Sequence, residues 1–599
     1  MRRHGLKAVG ALLVAAAVAL AAGPALAVAD ALVTSGSPTT PFPQNKQNEP
    51  AIGRAPFDGS VLMAGVNDEL DLQPCFSSTP SGPGSCPFTA GVGISGVYFS
   101  FDDGASWVQP TYQGWSARTG KAKVGPIGTL PNYFEADLVN NGDPIVAVGP
   151  RPDSTGKFSW SNGRRYYYSN LVANFPGGAT LPTNFFAVGV SFIDDPSPAR
   201  IAVQSNWSNP KIASGRLNPV LFDDKNSMWV DNASSSPFFG RVYASWTAFR
   251  AAVSHGRAEP EPIMIAHSDD GGNTWSDPVQ VTPATNNAHT GGRQGSAIRT
   301  DSHGTVFLVF EGGVPVPGSG SFQSVQMLAR SFDGGRTFEK QRPVATVTDV
   351  GRFDPFLGRF TFDGTAGART NSFPSLDVAN GAPTGAAATN GVLLGWSDGT
   401  FGNESSLVTA SNDGGDTWST PVAANDPNDR PDFTAVAISP DGRSAYVVYD
   451  AFQKPVSAYA DNLFVPRVMQ GVVRGGNGAT LSGFTTLHRG AMGDARSSAQ
   501  NNQVAEFLGD YNYATASNSK VYATWNDTRA GDVCDAVQKF RAAIRGLPTS
   551  MTSGVDWGED NAASADAQVA AAPRPLPSRD CPSGSRFGNS DIFSATATR

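Results

Sequence analysis

The sequence predicts an all-β fold, a β-propeller built from four-stranded blades. A short turn motif with the pattern Ser-x-Asp-x-Gly-x-Thr-Trp recurs along the chain. Short β-branched and aromatic runs alternate with turn-forming residues, as expected of strands joined by tight connections. Glycine and proline together are unusually frequent, which fits the many turns that such a fold needs.

The composition excludes several other classes of protein. The 599 residues include 66 Gly and 44 Pro, and aromatic residues make up 10%. This excess of turn formers argues against a coiled coil, and the absence of Gly at every third position argues against collagen. The aromatic content can build a core, which argues against wholesale disorder. The formal charge of −8, with scattered Lys and Arg, predicts no binding to nucleic acid.

The first 27 residues have the features of a secretory signal peptide. A basic segment with Arg2, Arg3 and Lys7 precedes the apolar run 8–22, and Ala25-Leu26-Ala27 fits a cleavage site. The run is short for a membrane span, and no second stretch of that length follows. We therefore expect a secreted, extracellular protein with no transmembrane anchor after cleavage.

The four cysteines predict two disulfides, because an even number in an exported protein usually forms bridges. Three connectivities are possible. We favour Cys75–Cys86 and Cys534–Cys581, since each pair brackets a segment rich in Gly, Pro and Ser. The spacing differs from CxxC and no His lies nearby, which argues against zinc. No cofactor is expected.

The turn motif is best explained as a structural element. Its Ser and Asp side chains can bond to turn amides, its Gly permits a positive φ, and its aromatic residue can be buried. The motif resembles the Asp-box, or BNR repeat, of the sialidase superfamily. The resemblance covers nearly the whole mature chain and implies a secreted, sialidase-like propeller. The four copies span 100–107, 268–275, 331–338 and 411–418.

Seven modules surround these copies, so we predict seven blades. Sialidases have six, and six blades with one module misassigned is the alternative. The predicted second strands are 61–68, 145–148, 241–246, 305–311, 392–398, 445–450 and 521–527. The predicted third strands are 96–99, 165–171, 262–267, 326–330, 406–410, 467–473 and 591–597. We expect one propeller domain over 28–599, with a long insertion at 529–589 in the last module and a short helix at 536–544.

One face of the propeller is expected to hold the functional site. The turn motif joins strands three and four, so connections from strand two to three lie on the opposite face. In sialidases that opposite face carries the active site, at the central channel. Residues expected on it after second strands are Asn67, Asp68, Glu311, Asp398, Asp450, Asn526 and Asp527. Those near the starts of first strands are Glu49, Lys225, Arg293, Arg369, Asp432, Asp510 and Tyr511.

The resemblance implies specific roles for some of these residues. A sialidase binds the carboxylate of its substrate with an arginine cluster and uses Tyr as nucleophile. We assign Tyr511 as nucleophile, Glu311 as its partner and Asp68 as acid/base. Arg293, Arg369 and Arg529 form the substrate-binding cluster, with Asp527 beside it. The sequence departs from the family at the first blade, where Arg54 is followed by Ala55 in place of the Arg-Ile-Pro motif.

Two functions are compatible with these residues and motifs. The first is a secreted glycoside hydrolase of sialidase type that acts on terminal sugars of glycans. The alternative is a non-catalytic propeller that binds glycans or proteins at the cell surface. The expected partner is a glycan or glycoconjugate, and a monomer is expected.

Overall fold

The computed structural model describes residues 29–35, 46–72, 88–215, 217, 222–250, 260–285, 292–354, 359–362, 367–400, 404–453, 463–474, 480–545 and 574–599. The predicted signal peptide and the predicted Cys75–Cys86 bridge lie outside these residues. The described chain is mostly β-strand with few helices, as the sequence predicts.

The first nineteen strands, in chain order, are β1 (Ala31–Leu32), β2 (Gln47–Ala55), β3 (Asp58–Asp68), β4 (Ser95–Ser100), β5 (Tyr112–Ser116), β6 (Lys123–Ile127), β7 (Leu138–Asn140), β8 (Ile145–Pro152), β9 (Phe158–Asn174), β10 (Phe186–Asp194), β11 (Lys211–Ile212), β12 (Phe222–Val230), β13 (Val242–Phe249), β14 (Ile263–Ser268), β15 (Val279–Gln280), β16 (Gln294–Thr300), β17 (Val306–Pro315), β18 (Phe322–Ser331) and β19 (Arg342–Thr346).

The remaining strands are β20 (Arg352–Asp354), β21 (Arg359–Thr361), β22 (Ser375–Val378), β23 (Val392–Asp398), β24 (Ser405–Ser411), β25 (Val422–Ala423), β26 (Arg430–Ile438), β27 (Ser444–Phe452), β28 (Leu463–Arg474), β29 (Thr480–Arg489), β30 (Gly493–Asp494), β31 (Tyr513–Ala516), β32 (Lys520–Asp527) and β33 (Asp591–Thr598). The helices are α1 (Pro198–Ile201), α2 (Asp535–Arg545) and α3 (Pro577–Asp580), with 3₁₀ turns at Glu69–Asp71, Phe134–Ala136, Gln204–Asn206 and Ala495–Ser497.

The strands pair mainly with their neighbours in sequence, forming antiparallel meanders. These are β2–β4, β8–β11, β12–β15, β16–β19, β22–β25, β26–β29, and β31–β33 with β1. A single parallel pair, Phe186 with Phe222, joins the second and third meanders into one sheet. The first strand of each meander contacts the first strand of the next, and β31 contacts β2.

The second meander differs from its prediction. The run 145–148, predicted as a second strand, lies in the first strand β8, and the run 165–171, predicted as a third strand, lies in the second strand β9. The connection before β8 is long and contains the hairpin β5–β6 and a 3₁₀ turn. The sequence pattern suggests the first strand of this module within that connection. Each predicted strand of the second module is therefore shifted by one position.

The N-terminal segment completes the last meander. Strand β1 pairs antiparallel with β33, so the outer strand of this sheet comes from the opposite end of the chain. Asp30, just before β1, forms an ion pair with Arg529 and a hydrogen bond of 2.6 Å with His488. Pairing between the chain ends ties the last meander to the first residues described.

Large aromatic side chains fill the space between neighbouring meanders. Trp246, Trp396 and Trp525 lie in the second strands β13, β23 and β32, and all are fully buried. Neighbouring sheets approach closely: a Cβ on Gly395 would lie 2.3 Å from Cγ1 of Val436 in the next meander. The core therefore lies between sheets, where dense packing provides most of the stabilisation.

The turn motif folds the same way in each copy. In 411–418 the Ser411 hydroxyl donates to Asp413 Oδ1 at 2.7 Å and accepts from the Gly415 N–H at 2.8 Å. The Thr417 N–H donates to Asp413 at 2.9 Å. Equivalent bonds close the other three copies. Burial acts to raise the pKa of Asp413, but the bonds from Thr417 and Ser411 lower it to about 2.

Arginines of the preceding meander anchor three of these turns. In each case a guanidinium Nη1 donates to the carbonyl of the first motif glycine in the next meander. The pairs are Arg165 with Gly271 at 2.8 Å, Arg241 with Gly334 at 2.7 Å, and Arg330 with Gly414 at 2.6 Å. The motif therefore connects adjacent meanders as well as closing its own turn.

Replacing Asp413 with Ala should destabilise the protein by about 1–2 kcal/mol, because several turn donors lose their acceptor. Asn412→Ala in the same turn is the control, since its side chain makes none of the turn bonds described above. The lowered pKa means that stability from Asp413 is present above pH 3.8 and is lost as the pH falls towards about 2. Urea unfolding at pH 7 and pH 2.5 measures both effects. Equal losses in the two variants at pH 7 would rule out this role.

Candidate functional site

The first strands of four meanders begin with the same backbone irregularity. The pairing register shifts at Asn48/Ala51, Asp224/Ser227, Gln294/Ala297 and Asp432/Ala435. At each shift one residue has a positive φ: Glu49, Lys225, Gly295 and Phe433, at 54°, 53°, 67° and 53°. A positive φ is unfavourable for residues other than Gly, so the surrounding structure must hold it. Such strain is typical of functional sites.

Three of these four residues line one cavity near the ends of the first strands. The cavity encloses about 740 Å³ of empty space, its open mouth included. Its charged lining residues are Lys225, Arg299 and Asp510, and its aromatic ones are Phe373, Phe433, Tyr511 and Tyr513. Asn226, Asn371 and Asn512 line it with amides, and the hydroxyls come from Ser227, Ser296, Ser375, Ser397 and Thr434.

A buried ion network stands at one side of the cavity, and Asp510 is its centre. Arg369 binds Asp510 through two bonds of 2.6 and 2.7 Å and reaches Glu49 at 3.3 Å. The Lys225 ammonium also pairs with Asp510. Burial acts to raise the pKa of Asp510, but Arg369 and Lys225 lower it on balance. Asp510 is therefore an ionised carboxylate held between two cations.

A second acidic group shares the Lys225 ammonium. Asp143 Oδ2 lies 4.0 Å from Lys225 Nζ, and Asp224 precedes Lys225 in β12. Burial raises the pKa of Asp224 to about 7; Lys225 opposes this, and Asp143 adds to it. Two neighbouring carboxyl groups in a buried place tend to retain one proton. Asp224 is therefore the carboxyl that holds a proton up to about pH 7.

Tyr511 lies between these groups and lines the cavity. Its hydroxyl donates to the Pro144 carbonyl at 3.3 Å. Burial raises the pKa of Tyr511 well above its ordinary value, and the charges of Glu49, Asp143 and Asp510 add to this effect. The phenol is therefore protonated, with its proton donated to Pro144 and its oxygen able to accept a hydrogen bond.

Glu49 is the carboxylate whose charge acts most strongly on Tyr511. Its own N–H donates to Asn526 at 2.9 Å, and Asn67 donates to its Oε2 at 2.9 Å. Glu311, predicted as the partner of Tyr511, lies elsewhere: burial and the neighbouring Asp349 and Asp398 raise its pKa well above the ordinary range. Tyr511 is absent from the described neighbours of Glu311.

The three arginines predicted as a cluster have separate partners. Arg369 belongs to the network around Asp510. The Arg293 backbone N–H donates to Glu261 at 3.1 Å. Burial lowers the pKa of the Arg293 guanidinium, and the charge of Glu261 opposes this effect. Arg529 pairs with Asp527 at 2.6 Å and with Asp30. Their described contacts share no residue, and of the three only Arg369 has a described contact with Asp510.

Asp68 and Asp527 are buried in local hydrogen-bond networks. Asp68 accepts from Tyr98 at 2.5 Å, Gln109 at 2.8 Å and Gln47 at 3.1 Å. Asp527 accepts a hydrogen bond from the Trp525 ring N–H at 3.2 Å. Burial raises the pKa of Asp527, and its bond to Arg529 opposes this effect. These contacts are of the kind that stabilise a fold.

The sequence missed Asp143, Asp224 and Arg299 as site residues. Asp143 precedes β8, whose position in the meander was misassigned, so its equivalence to Glu49 was hidden. Asp224 lies directly before Lys225, which the sequence had marked as a first-strand start. A comparison of all residues beside first-strand starts would have found it.

The insertion in the last meander supports the segment that leads to the site. Helix α2 confirms the predicted helix, and Val537, Phe540 and Ile544 are buried. A disulfide joins Cys534 to Cys581, as preferred from the sequence. Arg541 holds the helix in place by donating to the carbonyls of Ser498, Gln503 and Ala505 at 2.9, 3.1 and 3.0 Å. That segment continues to Phe507, whose ring lies 4.9 Å from the Arg369 guanidinium.

Comparison with known proteins gives fold-level likenesses of low similarity. No protein-family model matches the chain, and no curated protein matches it. An α-L-arabinofuranosidase of Fusarium graminearum is 14% identical over 76% of this chain and 98% of its own, with a TM-score of 0.38. A Hadza microbial sialidase is 12% identical over 78% and 74%, with a TM-score of 0.34.

An intramolecular trans-sialidase of Ruminococcus gnavus is 9% identical over 64% of this chain and 90% of its own, with a TM-score of 0.33. Such TM-scores are too low to assign an activity to this chain. Within the described residues, the helices are too short or too polar to cross a membrane.

Replacing Arg369 with Met should destabilise the protein by about 3–5 kcal/mol, because it leaves buried carboxylates without their cation. The control is Arg151→Met, which removes the partner of Asp195 in a solvent-exposed pair and should cost about 1 kcal/mol or less. Urea unfolding of both variants measures the difference. Equal losses would show that the network around Asp510 does not stabilise the fold.

Proposed function

We propose that the protein is an exported glycoside hydrolase that acts on terminal sugars of glycans, with its active site in the cavity lined by Asp510 and Tyr511. The seven meanders are proposed to be the blades of one sialidase-like propeller spanning 28–599. Their ring of first-strand contacts supports seven blades over six. The repeated turn motif and the signal-like N-terminus support the fold and the export.

The main support for the proposal is the separation in pKa of two acidic groups: Asp510, which lines the cavity, and Asp224, which directly precedes the lining residue Lys225. Glycoside hydrolysis needs one protonated acid for the leaving group and one ionised carboxylate. Asp224, paired with Asp143, has a pKa of about 7, whereas the pKa of Asp510 is lowered. Environments that push the pKa values of neighbouring carboxyls apart are typical of acid/base pairs.

We assign the roles from these differences. The Asp143–Asp224 pair donates the proton to the leaving oxygen, and Asp510 is the ionised carboxylate that acts as base or nucleophile. Tyr511, predicted from the family resemblance to be the nucleophile, would first need to lose its proton. Its raised pKa favours a different role, in which the protonated phenol donates to Pro144 and accepts a hydrogen bond from a sugar hydroxyl. Glu49 orients Arg369 and so positions Asp510.

A non-catalytic glycan-binding protein is the second candidate. It is favoured by the full pairing of Asp510 with Arg369 and Lys225, because a tightly paired carboxylate is a weak base. A binding protein would show saturable glycan binding with no product, whereas the hydrolase releases a terminal sugar from a chromogenic glycoside.

The rate of hydrolysis should fall as the pH rises through about 7, because the general acid Asp224 loses its proton there. Asp224→Asn should lower kcat by about 10²–10⁴-fold and remove this upper limb of the pH profile. Asp231→Asn is the matched control, since Asp231 is also buried with a pKa raised to about 7 but bonds to Ser236 outside the cavity. An unchanged upper limb in Asp224→Asn would exclude Asp224 as the acid.

Tyr511→Phe distinguishes the two roles of this tyrosine. The loss of a hydrogen bond to the sugar should lower kcat/KM by about 10-fold, whereas a lost nucleophile should cost about 10⁴-fold or more. Tyr513→Phe is the control, because Tyr513 lines the same cavity and its hydroxyl accepts from Arg299 at 3.1 Å. A loss of the larger size in Tyr511→Phe alone would restore the nucleophilic role.

A further inference from the structure

Each cation that lines the described part of the cavity is already bound to a carboxylate. Lys225 pairs with Asp510, and Arg299 pairs with Asp377 at 3.3 Å. The remaining Arg299 nitrogens donate to the Ile298 carbonyl at 2.8 Å and the Tyr513 hydroxyl at 3.1 Å. Both cations are therefore already paired with a carboxylate of the protein.

The network beside the cavity has no surplus positive charge. Glu49, Asp143 and Asp510 formally contribute −3, and the protonated Asp224 contributes nothing. Lys225, Arg369 and Arg359, whose charges all act on Asp510, contribute +3, so the sum is zero. A carboxylate entering this place would lose its hydration and find no surplus positive charge to compensate for that loss.

The rest of the lining suits an uncharged polyol. Three asparagines and several hydroxyls surround the space, and Phe373 and Phe433 add apolar faces. Asn226 is 6% exposed, its Nδ2 donates to Ser169 at 3.0 Å, and its Oδ1 makes no hydrogen bond with the described residues. A buried acceptor without a donor is costly, and a ligand hydroxyl would supply that donor.

We propose that this cavity binds an uncharged sugar, a neutral pentose or hexose ring, and rejects sugars that bear a carboxylate. The proposal rests on the proposed function in one respect, that a sugar ring occupies the cavity. It replaces the sialic acid expected from the family resemblance with a neutral substrate class.

The direct test is calorimetric binding of matched sugars to the wild-type protein. Methyl glycosides of neutral pentoses and hexoses are compared with methyl glycosides of glucuronic, galacturonic and N-acetylneuraminic acid, each acid beside its methyl ester. At least one neutral sugar should bind, and the acids should bind about 10-fold or more weakly than their esters. Equal or tighter binding of the acids overturns the proposal, as does the absence of binding by every neutral sugar.

Asp510→Asn gives a second measurement. It releases Arg369 and Lys225 from their shared carboxylate, so the preference for ester over acid should shrink by about 10-fold. Asp195→Asn, which breaks the exposed pair with Arg151, is the control and should keep the wild-type preference. An unchanged preference in Asp510→Asn counts against the charge argument, and the wild-type comparison decides alone if this variant does not fold.

Hydrolysis of the corresponding 4-nitrophenyl glycosides separates this proposal from the proposed function. Selective binding of neutral sugars without hydrolysis contradicts the hydrolase and supports the neutral site. Hydrolysis of the acidic substrates at rates equal to the neutral ones supports the hydrolase and overturns the neutral site.

Discussion

The burial of ionised groups at the start of the first strands is the constraint on which this site depends. A buried charge is tolerated only when it is paired, because its hydration is lost. Asp510 meets this condition through Arg369 and Lys225, which come from distant parts of the chain. The left-handed backbone at Glu49 and Lys225 is held in place by the same pairing. The backbone strain, the charge pairing and the shape of the cavity therefore depend on the same residues.

The arginines of this chain are used mainly in structure. Arg165, Arg241 and Arg330 anchor the turn motifs of the next meander, and Arg541 holds the insertion helix on the segment before the site. Both uses depend on a planar guanidinium that donates several bonds at once. This explains why arginines chosen by position in the sequence need not converge on a ligand.

The local parts of the fold could be predicted from the sequence because their causes are local. The turn motif closes with bonds between residues at most four apart, so its pattern alone locates the strands around it. The helix α2 likewise follows from the spacing of Val537, Phe540 and Ile544. The second meander could not be placed, since the long connection before it, with the hairpin β5–β6 and a 3₁₀ turn, lies where a first strand was expected.

The pairing within the site could not be predicted from the sequence. The residue types near first-strand starts indicated Glu49, Lys225, Arg293, Arg369, Asp432, Asp510 and Tyr511. Which carboxylate acts on Tyr511 depends on how the meanders contact one another, and the charge with the largest effect on Tyr511 is that of Glu49. The raised pKa of Asp224 depends on its burial and on its closeness to Asp143, and a sequence pattern shows neither.

The proposed chemistry requires Asp224 to stay protonated near neutral pH while Asp510 stays ionised. A ¹³C NMR titration of aspartate carboxyls in the wild type and in Asp224→Asn tests this requirement most directly. We expect a carboxyl that titrates at about pH 7 in the wild type and is missing in the variant. An Asp224 carboxyl that titrates near the ordinary value of 3.8 would contradict the proposed division of roles.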